Sequence, residues 1–380
     1  MTLNADLPAI STRENSAAIT TQPTNAQGLS AAASSLAKGY RGVDINTRDA
    51  LVAIAKDWQR LEVLSEGSTV FQSYDVCLPW LDAYVFCDAP THRAHVLAFY
   101  NENGTMIALA PFAQRIKGMA TMAEWIGEPL VQYGDLLMEP TCDVDALRKS
   151  LNALLSSWTV SGLHLRNVRA DARIHSVLQM EKSAIGEPRE AGIIDLSAFE
   201  SAEAYFDTFS KRSKKNRKKK RRVLDEMGSL TFKTVEAGEE AEALCQKALE
   251  WKLTWLAERG FSSRAFMDSR ALACLKAACG RKSAHNPIRL FVQSLDDRPI
   301  AIEIGLVGSQ GNAAFMGTYD PQFETQSAGK VQMESSIMHG FESNWPSYDM
   351  LAPMSEYKES WSNKRIGVAD YMMPTGLGGL

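Results

Sequence analysis

Four side chains that could move protons or hold a polar substrate lie in the second half of the sequence. Asp349 ends a short apolar segment, and Tyr357 and Lys358 follow it after a proline-containing turn. A carboxylate can orient an amine, a phenol can protonate a leaving group, and an ammonium group can bind an anion. Glu303, inside an otherwise apolar strand, is a further candidate base. No Cys or Ser stands in a nucleophile motif, which favours direct attack of one bound substrate on the other over a covalent enzyme intermediate.

Each of these residues also has a purely structural interpretation. Asp349 could cap a loop, and Tyr357 could serve only in packing. For Lys358, exposure at the start of a helix is the ordinary alternative. On a strand whose side chains alternate between core and water, Glu303 is somewhat more often on the solvent side. The residue types alone leave these alternatives open.

A loop with the chemistry of an anion site precedes three of these residues. An apolar strand runs to Tyr319, and after a polar loop an apolar stripe predicts a helix that opens near Gly329 and stops before Pro346. The N-terminus of a helix presents free N–H groups and the positive end of the helix dipole. The pattern therefore predicts an anion-binding site there. Its residues are Gln326, Ser327, Ala328, Gly329 and Lys330.

This loop resembles the Gln/Arg-x-x-Gly-x-Gly/Ala loop by which Gcn5-related N-acetyltransferases (GNAT) hold the pyrophosphate of acyl-CoA, although Val331 replaces the usual small residue. A longer pattern resembles the CelD-like (cellulose-biosynthesis, BcsL) branch of that superfamily. It consists of Ser327-x-Gly329, Asp349-Met-Leu-x-Pro353 and Tyr357-Lys358-x-x-Trp361. Phe71-Gln-Ser near Trp80, and Tyr133-Gly-Asp135, extend the resemblance to the first half.

The resemblance implies an acyl-CoA-dependent N-acyltransferase with acetyl-CoA as co-substrate and no metal. The amine would attack the thioester directly, and the acceptor would be an amino sugar, a polysaccharide precursor or a related amine. On this view residues 326–330 bind the acyl-CoA. The residues assigned to catalysis are Asp349, Tyr357 and Glu303, and those assigned to the substrate are Lys358, Trp361 and Lys252. Lys252 has the alternative of a core-edge position beside Trp255.

Two other functions remain open. A Fem-type peptidyltransferase would share a tandem GNAT architecture but would use aminoacyl-tRNA. A binding or assembly protein would have lost catalysis in both halves.

A run of positive charge lies in the middle of the chain. Ten of the twelve residues from Lys211 to Arg222 are Lys or Arg, with Ser210 as a candidate N-cap and Gly228 as a candidate stop. The run could be a solvated helix, a footprint for nucleic acid or an anionic membrane, or a site for an anionic substrate or carrier near the active site. No aromatic residue interleaves with the charges, which argues against base stacking. A structural helix that also attracts anions is favoured.

Length and composition predict a two-domain protein. The chain has 380 residues, 45% hydrophobic content and a net charge of −4. Six Cys without Cys-x-x-Cys spacing predict free thiols rather than a metal site or disulfides. The sequence shows neither a spanning apolar run nor a basic-then-apolar leader, so a soluble cytoplasmic protein is expected. The oligomeric state is left open.

The order of elements predicts an α/β fold of two GNAT-like units, with mixed, mostly antiparallel sheets flanked by helices. In each unit a helical pair precedes a meander of strands, a helix and a further strand. The predicted segments are a disordered tail (1–40), a degenerate N-terminal GNAT-like domain (41–195), a basic connecting helix (196–228) and a C-terminal acyltransferase domain (229–380).

Overall fold

The computed structural model describes residues 39–375, apart from residues 66, 68, 118, 119 and 181. Within them, thirteen strands form one mixed, mostly antiparallel sheet that is flanked by helices. The predicted fold class is therefore confirmed. Except for residues 39 and 40, the predicted disordered tail lies outside the described residues, as do residues 376–380. The predicted division into two domains stays an interpretation, and "first half" and "second half" below mean residues 39–195 and 196–375.

The first half carries seven strands and five helices. Its strands are β1 (Arg41–Ile45), β2 (His92–Tyr100), β3 (Met106–Lys117), β4 (Ala120–Trp125), β5 (Leu137–Met138), β6 (Gly162–Arg169) and β7 (Ala184–Asp195). Its helices are α1 (Arg48–Ala53), α2 (Ala55–Leu64), α3 (Tyr74–Tyr84), α4 (Val144–Ser157) and α5 (Ile174–Val177).

The second half carries six strands and seven helices. Its strands are β8 (Leu230–Glu236), β9 (Ile288–Leu295), β10 (Arg298–Gly308), β11 (Gly311–Tyr319), β12 (Ser347–Asp349) and β13 (Lys364–Pro374). Its helices are α6 (Ala202–Asp207), α7 (Lys211–Asp225), α8 (Glu239–Glu258), α9 (Arg264–Met267), α10 (Ser269–Gly280), α11 (Ala328–Glu342) and α12 (Glu356–Glu359).

The two halves exchange their last strands. The strand order is β1-β2-β3-β4-β6-β13-β7-β12-β11-β10-β9-β8, with β5 pairing β3. Strand β13, from the second half, lies between β6 and β7, and β7, from the first half, pairs with β12. A single hydrogen-bonded sheet therefore runs through both halves.

Two strands, β1 and β13, have no counterpart in the predicted order of elements, in which a helical pair comes first and a short strand comes last in each unit. Strand β1 is a short edge strand in which only Ile45 is fully buried. Strand β13 fully buries Val368 alone, although it is eleven residues long. Without a clear alternation of buried apolar and exposed polar residues, neither segment carries the pattern that identifies a strand.

The basic run forms helix α7, as predicted. Ser210 caps it by accepting a hydrogen bond from the backbone N–H of Ser213 at 3.2 Å. The helix ends at Asp225, so the predicted stop at Gly228 is three residues too late. Most of its charges are exposed, but the guanidinium of Arg217 turns inwards and lies 3.5 Å from the ring centre of Phe206. The middle of α7 is therefore anchored as well as solvated.

Candidate active site

Strands β11 and β12 separate after a short parallel pairing, and the separation opens a cleft. They pair over three residues only, ending where Ala313 lies opposite Asp349. Strand β11 continues to Tyr319, whereas β12 ends. The cleft has a volume of about 860 Å³, and its walls include residues 314–319 and 350–353. This volume is typical of small-molecule sites.

The corresponding strands of the first half, β4 and β6, also pair in parallel and only briefly, ending where Ala123 lies opposite Leu163. Immediately beyond, Trp125 and Tyr133 are fully buried. The indole of Trp125 lies against Gly134, where a Cβ atom would come within 1.8 Å of Nε1. The first half therefore packs large side chains at the position where the second half opens.

The predicted anion loop lies at the edge of the cleft. Ser327, Gly329 and Lys330 are among the lining residues, whereas Gln326 and Ala328 are not. Ser327 adopts the left-handed conformation with φ 60° and stands directly before α11. Lys330 N–H already donates to the carbonyl of Ser327 at 2.9 Å, whereas the N–H groups of Ala328 and Gly329 have no backbone partner among the described residues. These two N–H groups are available to an anion.

Helix α7 adds a second lysine beside this loop. The side chain of Lys220 contacts that of Lys330, and burial together with the charge of Lys330 lowers the pKa of Lys220. A groove of about 510 Å³ runs along α7 and shares Lys330 and Tyr357 with the cleft. Two ammonium groups in contact repel each other, and an anion bound between them would relieve that repulsion.

Glu303 is 2% exposed, so the solvent-facing alternative is wrong. Strand β10 lies in the middle of the sheet between β9 and β11. The carboxylate accepts hydrogen bonds from Asn312 Nδ2 at 2.8 Å, Gln332 Nε2 at 3.1 Å and Tyr348 Oη at 2.6 Å. Burial raises the pKa of Glu303, and these donors and Ser336 oppose the rise. Glu303 thus lines the cleft within a network of donors.

Tyr357 and Lys358 both line the cleft from α12. Tyr357 is 43% exposed, but its hydroxyl is directed at Met333 Sδ. Burial, followed by the charge of Glu303, raises the pKa of this phenol. Lys358 Nζ donates to the carbonyls of Leu351 at 2.7 Å and Pro353 at 2.9 Å. Burial lowers the pKa of Lys358 to about 8, with the charge of Asp349 opposing the shift.

Asp349 is directed towards the first half and is not among the residues that line the cleft. It accepts hydrogen bonds from Arg169 Nη1 at 2.9 Å and Tyr133 Oη at 3.0 Å. The backbone N–H of Leu351 donates to it at 2.7 Å. Burial raises the pKa of Asp349, and the charge of Arg169 opposes the rise. The carboxylate therefore joins the two halves and holds the turn after β12.

The two remaining predicted substrate residues have different surroundings. Lys252 lines the cleft, with its Nζ 4.5 Å from the ring centre of Trp255, and burial lowers the pKa of Lys252. Trp361 lies outside the cleft and packs edge-on against Phe209, with ring centres 5.5 Å apart. Its carbonyl accepts a hydrogen bond from Tyr205 Oη at 2.6 Å.

Several cleft residues come from the first half, and the sequence did not single them out. They are Glu128, Pro129, Val131, Gln132, Arg166, Asn167 and Arg189. The only local signal for Glu128 is an acidic residue between Gly127 and Pro129, directly after an apolar strand. The basic lining residues are Arg166, Arg189, Lys252, Arg264, Lys330 and Lys358, and the acidic ones are Glu128, Glu303 and Glu324. Among the described residues, the lining thus has three more basic than acidic side chains, which favours anionic ligands.

Among the described residues, no group of three or more His, Cys, Asp or Glu side chains could hold a metal ion. No helix in the described part of the chain is long and apolar enough to cross a membrane. The six cysteines are free thiols.

Comparison with known proteins identifies the class. Residues 210–359 match the family described as Acetyltransferase (GNAT) domain. The segment contains α7, the β11–β12 opening, the anion loop and α12, so the part of the chain that forms this side of the cleft is similar to a GNAT domain, and the protein is an acyltransferase. No curated protein matches the chain by sequence.

Solved structures extend the likeness to both halves. The crystal structure of FemX has a TM-score of 0.56 at 11% identity and covers 84% of this chain and 96% of its own. A conserved protein of unknown function from Bacteroides thetaiotaomicron has a TM-score of 0.55 at 9% identity, covering 88% and 99%. The C-terminal domain of a putative lysylphosphatidylglycerol synthetase from Agrobacterium fabrum has a TM-score of 0.52 at 13% identity, covering 85% and 92%. Identities this low establish the fold alone.

Proposed function

We propose that the protein transfers an acyl group from acyl-CoA, with acetyl-CoA as the donor, to a primary amine. The observation that carries this proposal is the opening between β11 and β12, at whose edge helix α11 begins. Such an opening can hold an extended chain, and a helix N-terminus can hold its phosphates. Lys220 and Lys330 supply the opposite charge at the same place.

The donor would lie along β11, with its pyrophosphate at Ser327, Gly329 and Lys330. Gly329 has no side chain that would cover the helix N-terminus, so a phosphate could approach the backbone there. The protein itself also leaves little room for a side chain, because a Cβ atom at this position would lie 3.0 Å from Tyr319 Cδ1. Lys220, from α7, would meet a further phosphate of the nucleotide.

Tyr357 is proposed as the proton donor to the departing thiolate. Its hydroxyl is directed at Met333 on the cleft wall, and its raised pKa keeps it protonated at neutral pH. Lys358 is proposed to hold the turn at residues 351–353 through two carbonyls, and Glu303 to position Tyr348. Asp349 is proposed as a positioning residue for the same turn, since its described partners are Arg169, Tyr133 and Leu351.

The acceptor is proposed to be an amino sugar or a polysaccharide precursor. This assignment rests on the resemblance of the second half to the CelD-like branch. The excess of positive charge in the cleft supports an acceptor that carries an anionic group, such as a phosphate, in addition to its amine.

A Fem-type transferase that uses aminoacyl-tRNA is the second candidate. The observation that favours it is the solvated face of α7, which carries Lys and Arg side chains next to the groove at the cleft edge. A tRNA would meet this face through its phosphates.

Binding and transfer experiments separate the two candidates. Purified protein is titrated with acetyl-CoA by calorimetry and, separately, with charged and uncharged tRNA by filter binding. Acyl transfer is followed by mass spectrometry on a panel of amines that includes glucosamine and its phosphates. Binding of acetyl-CoA with acetylation of an amine supports the first candidate. Binding and deacylation of charged tRNA without any affinity for acetyl-CoA would replace it by the second.

A further inference from the structure

Glu128 is a buried carboxylate that lines the cleft, and one of its two oxygens has no hydrogen-bond partner among the described residues. It follows strand β4 in the first half and is 5% exposed. Its Oε2 atom lies 3.3 Å from Arg166 Nη1. Its Oε1 atom is buried and has no hydrogen-bond partner among the described residues. A buried carboxylate oxygen without a donor is costly, so an incoming donor would bind there favourably.

Burial and four neighbouring charges together set the pKa of Glu128. Burial raises the pKa of Glu128 to about 7, the charge of Arg166 opposes the rise, and the charge of Glu124 adds to it. Arg264, from α9, opposes it and Asp370, from β13, adds to it. Near neutral pH the group can therefore both accept a proton and release it again.

We infer that Glu128 Oε1 binds the ammonium group of the acceptor and removes one of its protons. This inference rests on the proposed acyl transfer and names the subsite for the amine. In the first half, Trp125 and Tyr133 occupy the position beyond the pairing of β4 and β6. This half would then supply the acceptor side of the cleft in the second half. The substrate class is a primary amine that enters as a cation.

Proton transfer to Glu128 precedes the formation of the new bond. The acceptor ammonium gives one proton to the Glu128 carboxylate and becomes a neutral amine. The amine nitrogen attacks the thioester carbonyl, the C–N bond forms, and the C–S bond breaks. The phenol of Tyr357 protonates the departing thiolate and recovers a proton from the nitrogen, which becomes the amide. Glu128 finally releases its proton to solvent.

Glu303 is less suited to this role. Its Oε1 accepts from Asn312, and its Oε2 accepts from Gln332 and Tyr348. An amine that binds at Glu303 would have to displace one of these buried donors, whereas at Glu128 Oε1 no hydrogen bond to a described residue has to be broken.

The test uses Glu128→Gln, with Glu190→Gln as the matched control. Glu190 lies on β7 next to Arg189, but its side chain is exposed and pairs with Arg365 at 3.0 Å. The probes are ethanolamine and its amine-free counterpart, ethylene glycol. Ethanolamine remains a cation between pH 6 and pH 8, because this range lies about one unit or more below the pKa of an alkylamine. Binding is measured by ligand-observed NMR with and without CoA, and circular dichroism verifies the fold.

Ethanolamine should bind to the wild type and to Glu190→Gln in preference to ethylene glycol. Its affinity should fall at least about tenfold in Glu128→Gln, because the charged acceptor oxygen is lost. In the wild type, affinity should fall as the pH drops below about 7, where Glu128 becomes protonated. Equal ethanolamine affinity in folded Glu128→Gln, or no preference for the amine in the wild type, would overturn the inference.

The controls keep this inference separate from the proposed function. If CoA fails to bind while ethanolamine still depends on Glu128, the donor assignment is wrong and the amine subsite stands. If CoA binds and an amine is acetylated equally by Glu128→Gln, the proposed function stands and the amine subsite is wrong.

Discussion

Arg169 Nη1 lies 2.9 Å from Asp349 Oδ2, and this ion pair joins the last residue of β6 to the last residue of β12. The two strands belong to different halves and are separated in the sheet by β13 and β7. Tyr133 Oη donates to the other carboxylate oxygen at 3.0 Å. Two residues of the first half, Arg169 and Tyr133, thus hold Asp349 at the end of β12, where the cleft begins.

Replacing Asp349 by Asn should lower the free energy of unfolding by about 3 kcal/mol. The reason is that Arg169 Nη1 loses its buried carboxylate partner, although Nη2 keeps its ion pair with Asp171. Urea unfolding measures the change. The control is Asp171→Asn, which removes the more exposed partner of Arg169 and should cost less than about 1 kcal/mol. A fully stable Asp349→Asn protein that has lost amine binding would restore Asp349 as the residue that orients the amine.

Replacing Gly329 by Val should weaken acetyl-CoA binding by about tenfold or more, because the added side chain occupies the path of the phosphate to the helix N-terminus. Calorimetry measures the affinity. Gly367→Val is the control, since Gly367 lies on β13, has an ordinary backbone conformation, and its added Cβ would lie 3.6 Å from Ala170 Cβ. Unchanged affinity in a folded Gly329→Val protein would move the donor site elsewhere.

Replacing Lys220 by Gln should weaken CoA binding several-fold, and the loss should shrink as salt is added, because screening reduces charge–charge attraction. Lys219→Gln is the control, since Lys219 is exposed on the same helix. The measurement is repeated with dephospho-CoA. If Lys220 meets the 3′-phosphate, the variant and the wild type should bind dephospho-CoA equally. If α7 formed a complex with nucleic acid that persisted at high salt and discriminated between nucleotide sequences, the charge-based interpretation of α7 would be wrong.

Replacing Tyr357 by Phe should lower kcat by about 100-fold while leaving the affinity for acetyl-CoA unchanged, because the proton is needed mainly as the thiolate develops. Steady-state kinetics on an identified amine measure the effect. Wild-type turnover in Tyr357→Phe would leave this residue a packing role against Met333.

Replacing Glu128 by Gln should also change how stability depends on pH. The folded-state pKa of about 7 exceeds the unfolded value, so protonation of Glu128 stabilises the wild type at low pH. This contribution, about 3 kcal/mol from the size of the pKa difference, is lost as the pH rises from about 4.5 through 7. The stability of the wild type relative to Glu128→Gln should therefore decline over that range. Thermal unfolding of both proteins in matched buffers measures this stability difference at each pH. A difference that stays constant over the range would contradict the raised pKa of Glu128.

The position of the anion loop at the edge of the cleft could be predicted because its signal is local. Residues 326–330 follow β11 and run into the first turn of α11 within one continuous segment, and the helix N-terminus is visible in that segment. For the same reason the apolar stripes of the sequence predict helices over about residues 144–158 and 239–258, and α4 and α8 confirm them to within one residue.

The contribution of the first half to the cleft could not be predicted because it depends on pairing between distant segments. Nothing in the residues around Glu128 indicates that β13 will enter the sheet beside β6 and turn the end of β4 towards the second half. Burial of Glu303 was missed because alternation assumes one solvated face, whereas its neighbours Ile302 and Ile304 are both fully buried.

The exchange of β7 and β13 also constrains how this chain can be cut and how it can fold. A fragment that ends before Lys364 leaves the facing edges of β6 and β7 without the strand that joins them. Unpaired edges of this length invite pairing with other chains. During synthesis β6 and β7 cannot form their hydrogen bonds to β13 until residues 364–374 have left the ribosome. The sheet of the first half is therefore completed only after the second half has been synthesised. The two halves therefore cannot be produced separately as native units.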